Sequence, residues 1–403
     1  MAKLFIEEST LTAIGDAIRE KKETTELLNP SAMPDEIRSI QSGGGKVVLS
    51  GDISKAFSAD SSSTGMYYNF GKDVRKSFIS QGMFNCIETK DVTNLLNTFR
   101  YIGSSYGFNE PIDLPFDINI AEGTEADVTQ MCGSSSAIRS IGNINGQVSS
   151  VNGMFYGCSY LEDLSHVTGI KPQTSNTGLK ANAGSCFYQC NRLRRISPEL
   201  HKVIGSTYTS SSSYKTDYYQ AYYGCCVLDE IIGLGTSAGE YLTNGVPYIT
   251  GNQFSYTFSN CYRLKRMLFE TNEDGTPKVV DWRSQTIDFS SNTGWCSTTA
   301  GVSNYGFTTD TKVTDDATYQ ALKDNPDYWT SSASYSRYNR ASAVETINSL
   351  PDTSAYLSKN STWKNNIKFK GTAGELTDAG AINTMTSEEI AVATAKGWTV
   401  SFA

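Results

Sequence analysis

Histidine is almost absent from this chain, since the 403 residues contain only His166 and His201. No GxSxG, HExxH or phosphate-loop sequence occurs, so a catalytic triad or a motif-bound zinc has little support. The nine cysteines do not supply a zinc site, because only Cys186 and Cys190 have a ligand-like spacing and neither histidine lies near that pair. We therefore predict a protein with no catalytic site, no cofactor and no metal.

Long apolar runs and basic clusters are also missing. No stretch approaches the ~18 consecutive apolar residues of a membrane span, and the opening segment MAKLFIEESTL turns acidic before an apolar signal core could form. The formal charge is −8, from 34 Lys and Arg against 42 Asp and Glu, with no Lys/Arg-rich run to bind phosphates. These features predict neither a membrane span nor a nucleic-acid partner, and a protein that folds in the cytoplasm.

Aromatic residues are plentiful, with 23 Tyr and 17 Phe, which excludes a disordered chain. Many of them belong to a repeat. Four segments share a frame with an aromatic residue, a cysteine three positions later, and apolar residues three and six positions after the cysteine. The frame places these aromatic and cysteine residues at Phe155 and Cys158, Phe187 and Cys190, Tyr222 and Cys225, and Phe258 and Cys261.

Two weaker copies precede these four, one with Cys132 and Ser135 in frame and one with Phe99 and Ile102. The spacing of the cysteine positions grows from 23 residues (135 to 158) to 36 residues (225 to 261), as expected for a coil with insertions. In a stack of coils the same position recurs at the same depth, and a buried thiol behaves as a small hydrophobe. We therefore predict that the eight frame residues named above form a repeat core.

The frame MFxGCxxLxxL resembles the BspA-like leucine-rich repeats of bacterial surface proteins and of phage structural proteins. Segment 9–40 is similar to a helical leader of phage tail and baseplate-associated proteins, and segments 50–57, 113–118, 365–371 and 387–400 fit the same group. The resemblance implies an α+β fold: a leucine-rich-repeat (BspA-like) solenoid with an N-terminal helical leader and a C-terminal capping unit.

The N-terminal residues 1–41 are predicted to attach the chain to a virion, with residues 42–45 as a glycine-rich linker. About 40 residues hide too little apolar surface to fold alone, so they should dock on a sister subunit, another virion protein or the repeat itself. A cap for the repeat is the alternative. The predicted docking face consists of the apolar residues at helical spacing: Leu11, Ile14, Ile18, Met33, Ile37 and Ile40.

The remaining chain divides into a repeat region with insertions (46–307) and a C-terminal repeat or cap (308–403). In the second region Thr386 and Glu389 form a capping-box pair, and Gly397 supplies a helix stop. The pattern predicts a helix, strand, helix and strand in this order, at 342–350, 365–371, 387–397 and 398–402.

Insertions between the repeats, at 205–223, 235–256 and 290–307, are rich in Tyr, Ser, Gly and Asn. This is the composition of recognition loops, so we predict that they bind a host-surface glycan or protein. Solvated spacers are the alternative. The predicted receptor contacts are the aromatic residues Tyr208, Tyr214, Tyr218, Tyr219, Tyr241, Tyr248, Trp295 and Tyr305.

A polysaccharide-degrading enzyme would need paired carboxylates. Two acidic pairs occupy the frame slot between the two apolar positions, where other copies hold basic pairs, so a solvated face with alternating charge explains them better. The candidate carboxylates are Asp113, Asp117, Glu162, Asp163, Asp229 and Glu230.

Together these features predict a non-enzymatic structural protein of a phage virion, assembled in the host cytoplasm. It would belong to the tail tip, baseplate or a fibre, and adhere to the host surface. The alternatives are a head fibre or capsid-decorating protein, a polysaccharide-degrading tail enzyme, and a bacterial surface adhesin, the last of which should show a secretion signal. The expected partners are other virion proteins through the leader, a host glycan or protein, and further copies of the chain.

Overall fold

The computed structural model describes residues 46–58, 82–103, 110–172, 184–206, 218–236, 248–261, 264–290, 338–369 and 384–402. The helices in these ranges are α1 (Pro198–Ser206), α2 (Arg340–Ser349), α3 (Ser354–Leu357) and α4 (Ser387–Ala395), with a 3-10 helix at Met83–Cys86. The strands are β1 (Val47–Asp52), β2 (Ile87–Asn94), β3 (Ile112–Leu114), β4 (Ile118–Asn119), β5 (Glu125–Asp127), β6 (Ile138–Ile141), β7 (Ile144–Ser150), β8 (Asp163–Leu164), β9 (Ile170–Pro172), β10 (Arg195–Ile196), β11 (Glu230–Leu234), β12 (Tyr248–Thr250), β13 (Arg266–Phe269), β14 (Asp281–Arg283), β15 (Thr286–Asp288), β16 (Asn365–Phe369) and β17 (Trp398–Phe402).

These strands pair in parallel within small, separate sheets. Two-stranded sheets are formed by β1–β2, β3–β6, β8–β10, β11–β13 and β12–β14. A three-stranded sheet has the order β15–β16–β17, and a four-stranded sheet has the order β4–β7–β5 with β9 also paired to β7. Most of these pairings therefore join strands that are distant in sequence, because two parallel strands need a long crossover between them.

The predicted leucine-rich-repeat (BspA-like) solenoid is wrong. That architecture aligns a strand from each repeat along one horseshoe, whereas the described residues form a mixed structure with few helices and short parallel strand pairs. Pairing is short because register shifts interrupt it, as between Ile232 and Leu234, and the β8–β10 pair has only two residues in each strand. The frame sets which residues face the interior, but the segments between frames differ in length and break the strands.

The repeated frames form tight turns that stack on one another. Inside one turn, the Cys158 N–H donates to the Phe155 carbonyl at 3.0 Å. Between turns, the Phe155 N–H donates to the Cys186 carbonyl at 2.9 Å, and the Gly157 N–H donates to the Tyr188 carbonyl at 2.7 Å. Gly157 has a φ of 69°, a left-handed conformation that glycine adopts without strain. Backbone hydrogen bonds thus fix the distance between neighbouring turns.

The aromatic residue of each frame lies in the interior and stacks on its neighbour. Phe155 and Phe187 have ring centroids 5.6 Å apart, as do Phe187 and Tyr222, and the Tyr222–Phe258 distance is 6.0 Å. At most 1% of each of these four residues is exposed. Each large ring removes roughly 150–250 Å² from water, so this stack supplies much of the core.

The frame cysteines are buried free thiols that hydrogen-bond to the backbone of the preceding turn. Each Sγ donates to the carbonyl at the aromatic position of that turn, which ties adjacent turns together through side chains as well as backbone. The Sγ–O distances are 3.0 Å from Cys158 to Cys132, 3.0 Å from Cys190 to Phe155, 3.2 Å from Cys225 to Phe187, and 3.1 Å from Cys261 to Tyr222.

The predicted helix, strand, helix and strand near the C-terminus are present as α2, β16, α4 and β17. The capping box is confirmed, since the Glu389 N–H donates to the Thr386 hydroxyl and the Thr386 N–H donates to the Glu389 carboxylate. Gly397 follows α4 with a φ of 84°, as a left-handed helix stop requires.

The predicted leader (1–41) and linker (42–45) lie outside the described residues, together with all six of the predicted attachment residues. Cys296 and residues 308–337 of the predicted C-terminal region also lie outside them. The domain boundaries and the attachment role therefore stay predictions.

Candidate binding surface

Three tyrosines form a stack on the outside of the turns, which we call the tyrosine column: Tyr156, Tyr188 and Tyr223. The ring centroids are 4.7 Å apart between Tyr156 and Tyr188 and 4.9 Å apart between Tyr188 and Tyr223, with the planes 4° and 10° from parallel. Tyr156 is exposed and the other two are half-buried. The column therefore presents a row of ring edges and hydroxyl groups.

The column follows from the frame, because each of its members directly follows a buried aromatic residue. In the tight turn, Phe155 enters the core while the next residue, Tyr156, faces out. The backbone hydrogen bonds between turns hold successive outer rings near the spacing of paired strands, about 4.7–4.9 Å. A regular outer stack is the result.

A second pair of tyrosines, which we call the perpendicular pair, consists of Tyr219, in the same turn as Tyr223, and Tyr256, in the turn that follows. Their ring centroids are 6.3 Å apart and their planes make an angle of 82°. They are 41% and 61% exposed, more than any other aromatic side chain that the structure describes. This pair presents ring faces as well as edges.

The backbone of Tyr256 is in the left-handed region, with a φ of 57°. A bulky residue there is an outlier, and such strain costs of the order of 1–3 kcal/mol. Its exposed ring recovers little of this by packing. The surrounding stack of turns therefore holds an unfavourable backbone at a position whose side chain faces solvent.

The buried thiols have no nucleophilic character. Burial raises the pKa of the Cys132, Cys158, Cys190, Cys225 and Cys261 thiols far above the usual range. Because the thiolate is the reactive form, these cysteines act as packing residues and hydrogen-bond donors.

His201 is also an interior residue. Its side chain is completely buried, and its Nδ1 lies 2.7 Å from the Tyr222 hydroxyl. Burial lowers the pKa of His201 to about 3, and a backbone contact with Glu230 offsets this only in part. His201 is therefore neutral near pH 7 and packs as part of the core.

Four of the six candidate carboxylates lie near basic side chains, and Asp117 instead accepts from the Asn143 N–H at 2.8 Å. Asp113 forms an ion pair with Arg139, and Asp163 forms one with Arg195. The hydrogen bonds from Arg139 lower the pKa of the Asp113 carboxyl. Arg192 lies 4.0 Å from Glu162 and Lys265 lies 3.6 Å from Glu230, whereas Arg266 of β13 pairs with Glu345 of α2 at 2.6 Å.

No protein-family model, curated protein or solved structure matches this chain. Interpretation of the surface therefore rests on its own geometry. None of the described helices has the length and apolarity to cross a membrane. The described ranges also bring no three His, Cys, Asp or Glu side chains together as metal ligands.

The predicted receptor tyrosines have different outcomes. Tyr219 is exposed, but the prediction for Tyr218 is wrong, because this residue is fully buried, stacks on Phe254 at 4.2 Å and donates its hydroxyl to the Gly235 carbonyl. The Tyr248 backbone lies in β12, and its side chain is outside the described part. The remaining predicted contacts also lie outside it: Tyr208, Tyr214, Tyr241, Trp295 and Tyr305.

The sequence prediction missed four exposed or half-buried tyrosines: Tyr156, Tyr188, Tyr223 and Tyr256. A signal was present for the first three, because the aromatic doublets in MFYGC, CFYQC and YYGC place a second ring at the same frame position. The frame gives the interior only the first ring of each doublet, so the second ring could have been assigned to the surface. Tyr256 gave no such signal, since other turns hold small or polar residues there.

Proposed function

We propose that this chain is a non-enzymatic structural protein of a phage virion and that it contacts the host surface through its exposed tyrosines. The tyrosine column is the observation that supports this most directly. Its three rings are aligned on the outside, whereas the interior has its own aromatic stack. Tyrosine offers large contact area for little loss of side-chain entropy, so the column suits recognition.

The buried groups also favour a structural role. The frame thiols are protonated and His201 is neutral, as burial dictates. Asp113 and Asp163 pair with basic side chains on neighbouring strands. The frame thiols and His201 therefore serve packing, and the two carboxylates serve ion pairing.

The virion location rests on the resemblance of the terminal segments to phage tail and baseplate-associated proteins. The tail tip, baseplate or a fibre is the proposed place, with other virion proteins as partners of the leader. Immunogold labelling of particles made from the genome that encodes this chain tests this location. Particles that bind no antibody would exclude it.

The adhesive role predicts that the column hydroxyls contribute to adsorption. Because the stacked rings cover each other's faces, a ligand meets mainly edges and hydroxyls. Particles with the triple change Tyr156→Phe, Tyr188→Phe and Tyr223→Phe keep the ring stack but lose three hydrogen-bonding groups, each worth about 0.5–1.5 kcal/mol. We expect adsorption to the propagating strain to fall by at least about tenfold, with an unchanged melting temperature.

The matched control is Tyr356→Phe, the same chemical change in α3, away from the column. It should leave adsorption as in the wild type. If the triple variant adsorbs normally, the column is not the adhesive surface. A lowered melting temperature in the triple variant would instead assign the hydroxyls to the fold.

A further inference from the structure

The perpendicular pair exposes a different chemistry from the tyrosine column. Column rings lie nearly parallel at 4.7 and 4.9 Å and cover one another. In the perpendicular pair the edge of one ring meets the face of the other, at 82° and 6.3 Å, so the remaining faces are not covered by the partner ring. Tyr256 is 61% exposed and Tyr219 is 41% exposed. The pair is therefore suited to a ligand that stacks on a ring face.

Tyr256 is an unusual residue for its place in the turn, and its ring is 61% exposed. Tyr256 lies two residues before the frame aromatic, and the same position is left-handed in every described turn. The turn itself imposes this conformation, so what distinguishes Tyr256 is the residue type, a bulky aromatic at a position that disfavours one. The equivalent residues in the other turns are glycine or polar: Lys55, Asn97, Gln130, Gly153, Ser185 and Gln220.

The two described turn segments that carry the pair are polar and uncharged. The two turn segments, 218–228 and 251–261, contain no charged residue. They are adjacent, because the Gln220 N–H donates to the Ser255 carbonyl at 3.2 Å. Amide and hydroxyl side chains here can hydrogen-bond to sugar hydroxyls. The exposed large side chains in these two segments are both tyrosines.

We infer that the perpendicular pair is a subsite for a neutral hexopyranose glycan whose hydroxyls are equatorial, as in β-linked glucose or N-acetylglucosamine. The apolar C–H face of such a sugar meets the electron-rich face of a tyrosine ring. The second ring, at a right angle, contacts the sugar edge. This inference deepens the proposed function, on which it rests, by naming the ligand class of the adhesive surface.

Titration of the full chain with two neutral probes tests the inference: the β-1,4-linked hexamer of glucose and that of N-acetylglucosamine. We expect at least one to bind by isothermal calorimetry, and Tyr256→Asn and Tyr219→Ser each to weaken that binding at least tenfold. Asparagine tolerates a positive φ, so Tyr256→Asn should not lower the melting temperature. Tyr101→Asn is the matched control, because Tyr101 also has a positive φ, of 66°, and lies in an earlier turn.

The inference is overturned if neither neutral hexamer binds, if Tyr256→Asn binds as tightly as the wild type, or if Tyr101→Asn weakens binding equally. Equal binding of a hexamer of galacturonate would overturn the neutral class. The titration uses purified protein, whereas the proposed function is tested on particles. The two proposals can therefore fail separately. If a hexamer binds and the column variant adsorbs normally, the adhesive role of the column is wrong, but the glycan subsite is supported.

Discussion

The frame position that usually holds cysteine shows how one hydrogen bond selects a residue type. Cys190 donates to the Phe155 carbonyl, and Ser135 makes the equivalent bond to the Phe99 carbonyl. Ser135 has a second task, because its Oγ accepts from the Ile102 N–H at 3.0 Å. Sulfur is a weak acceptor, so an oxygen is favoured at this one turn, which explains the loss of cysteine there.

This comparison predicts that serine is tolerated at position 190 better than a larger apolar residue. Cys190→Ser keeps a donor to the Phe155 carbonyl and should change the free energy of unfolding by no more than ~1 kcal/mol. Cys190→Leu overpacks a fully buried site and should lower it by ~1–3 kcal/mol. Urea unfolding measures both variants. Equal destabilisation by serine and leucine would show that the thiol is required for its size and polarisability alone.

Tyr218 shows what the sequence prediction needed and lacked. The residue lies four positions before the frame aromatic Tyr222, and the same position is buried in other turns as Leu95, Val128 and Val151. Extension of the frame by four residues would have placed Tyr218 in the core. The composition of the insertion, rich in tyrosine and serine, concealed the place where the next turn begins.

Among the elements, the short strands carry charges of alternating sign along one face. Acidic side chains lie on β8, basic ones on β10, acidic ones on β11 and basic ones on β13. The row is continuous, because the Glu162 N–H donates to the Arg139 carbonyl and the Asp229 N–H donates to the Arg194 carbonyl. Each exposed pair alone is worth little, but alternation disfavours any other order of the segments.

The alternation predicts that one pair cannot be exchanged without its neighbours. Arg195→Glu places like charges beside Asp163 and should lower the free energy of unfolding by ~1 kcal/mol at low salt, and by less at 1 M NaCl. The double swap Asp163→Arg with Arg195→Asp restores that pair but brings like charges towards Arg139 and Glu230. Urea unfolding at two salt concentrations should find it still destabilised. Full recovery would show that the pair is isolated.

Sequence reasoning predicted burial and the C-terminal helices and strands better than it predicted sheet architecture. The repeated frame predicts which side chains are buried, because residues such as Phe187 and Cys190 occupy the same buried position in each turn. Strand pairing depends on register between distant segments, which no local pattern encodes, and on insertions of unequal length. The family resemblance supplied a continuous repeat sheet that these insertions do not allow.

At the scale of the whole molecule, Glu270 and His201 show how an ionisable group is buried in the described part of the chain, with partners or in neutral form. Glu270 accepts from the Thr236 N–H at 2.7 Å and hydroxyl at 3.0 Å, and lies 3.8 Å from the Lys202 ammonium. His201 has no such counter-charge in its contact with Tyr222 and is held neutral by burial. Low pH should therefore destabilise the folded state at His201, because protonation would place a positive charge in the core.

The sign of this effect follows from the two states of His201. The pKa is about 3 in the folded chain and near 6.5 when unfolded, so between these values the unfolded chain binds more protons. The contribution is fully present above pH 6.5 and is lost as the pH falls towards 3, by up to ~1.4 kcal/mol per pH unit. His201→Gln should remove this slope from urea unfolding measured at pH 7, 6, 5 and 4. His166→Gln, the same change at the exposed histidine, should retain it. An identical slope in His201→Gln and wild type would mean that acid first opens the molecule elsewhere.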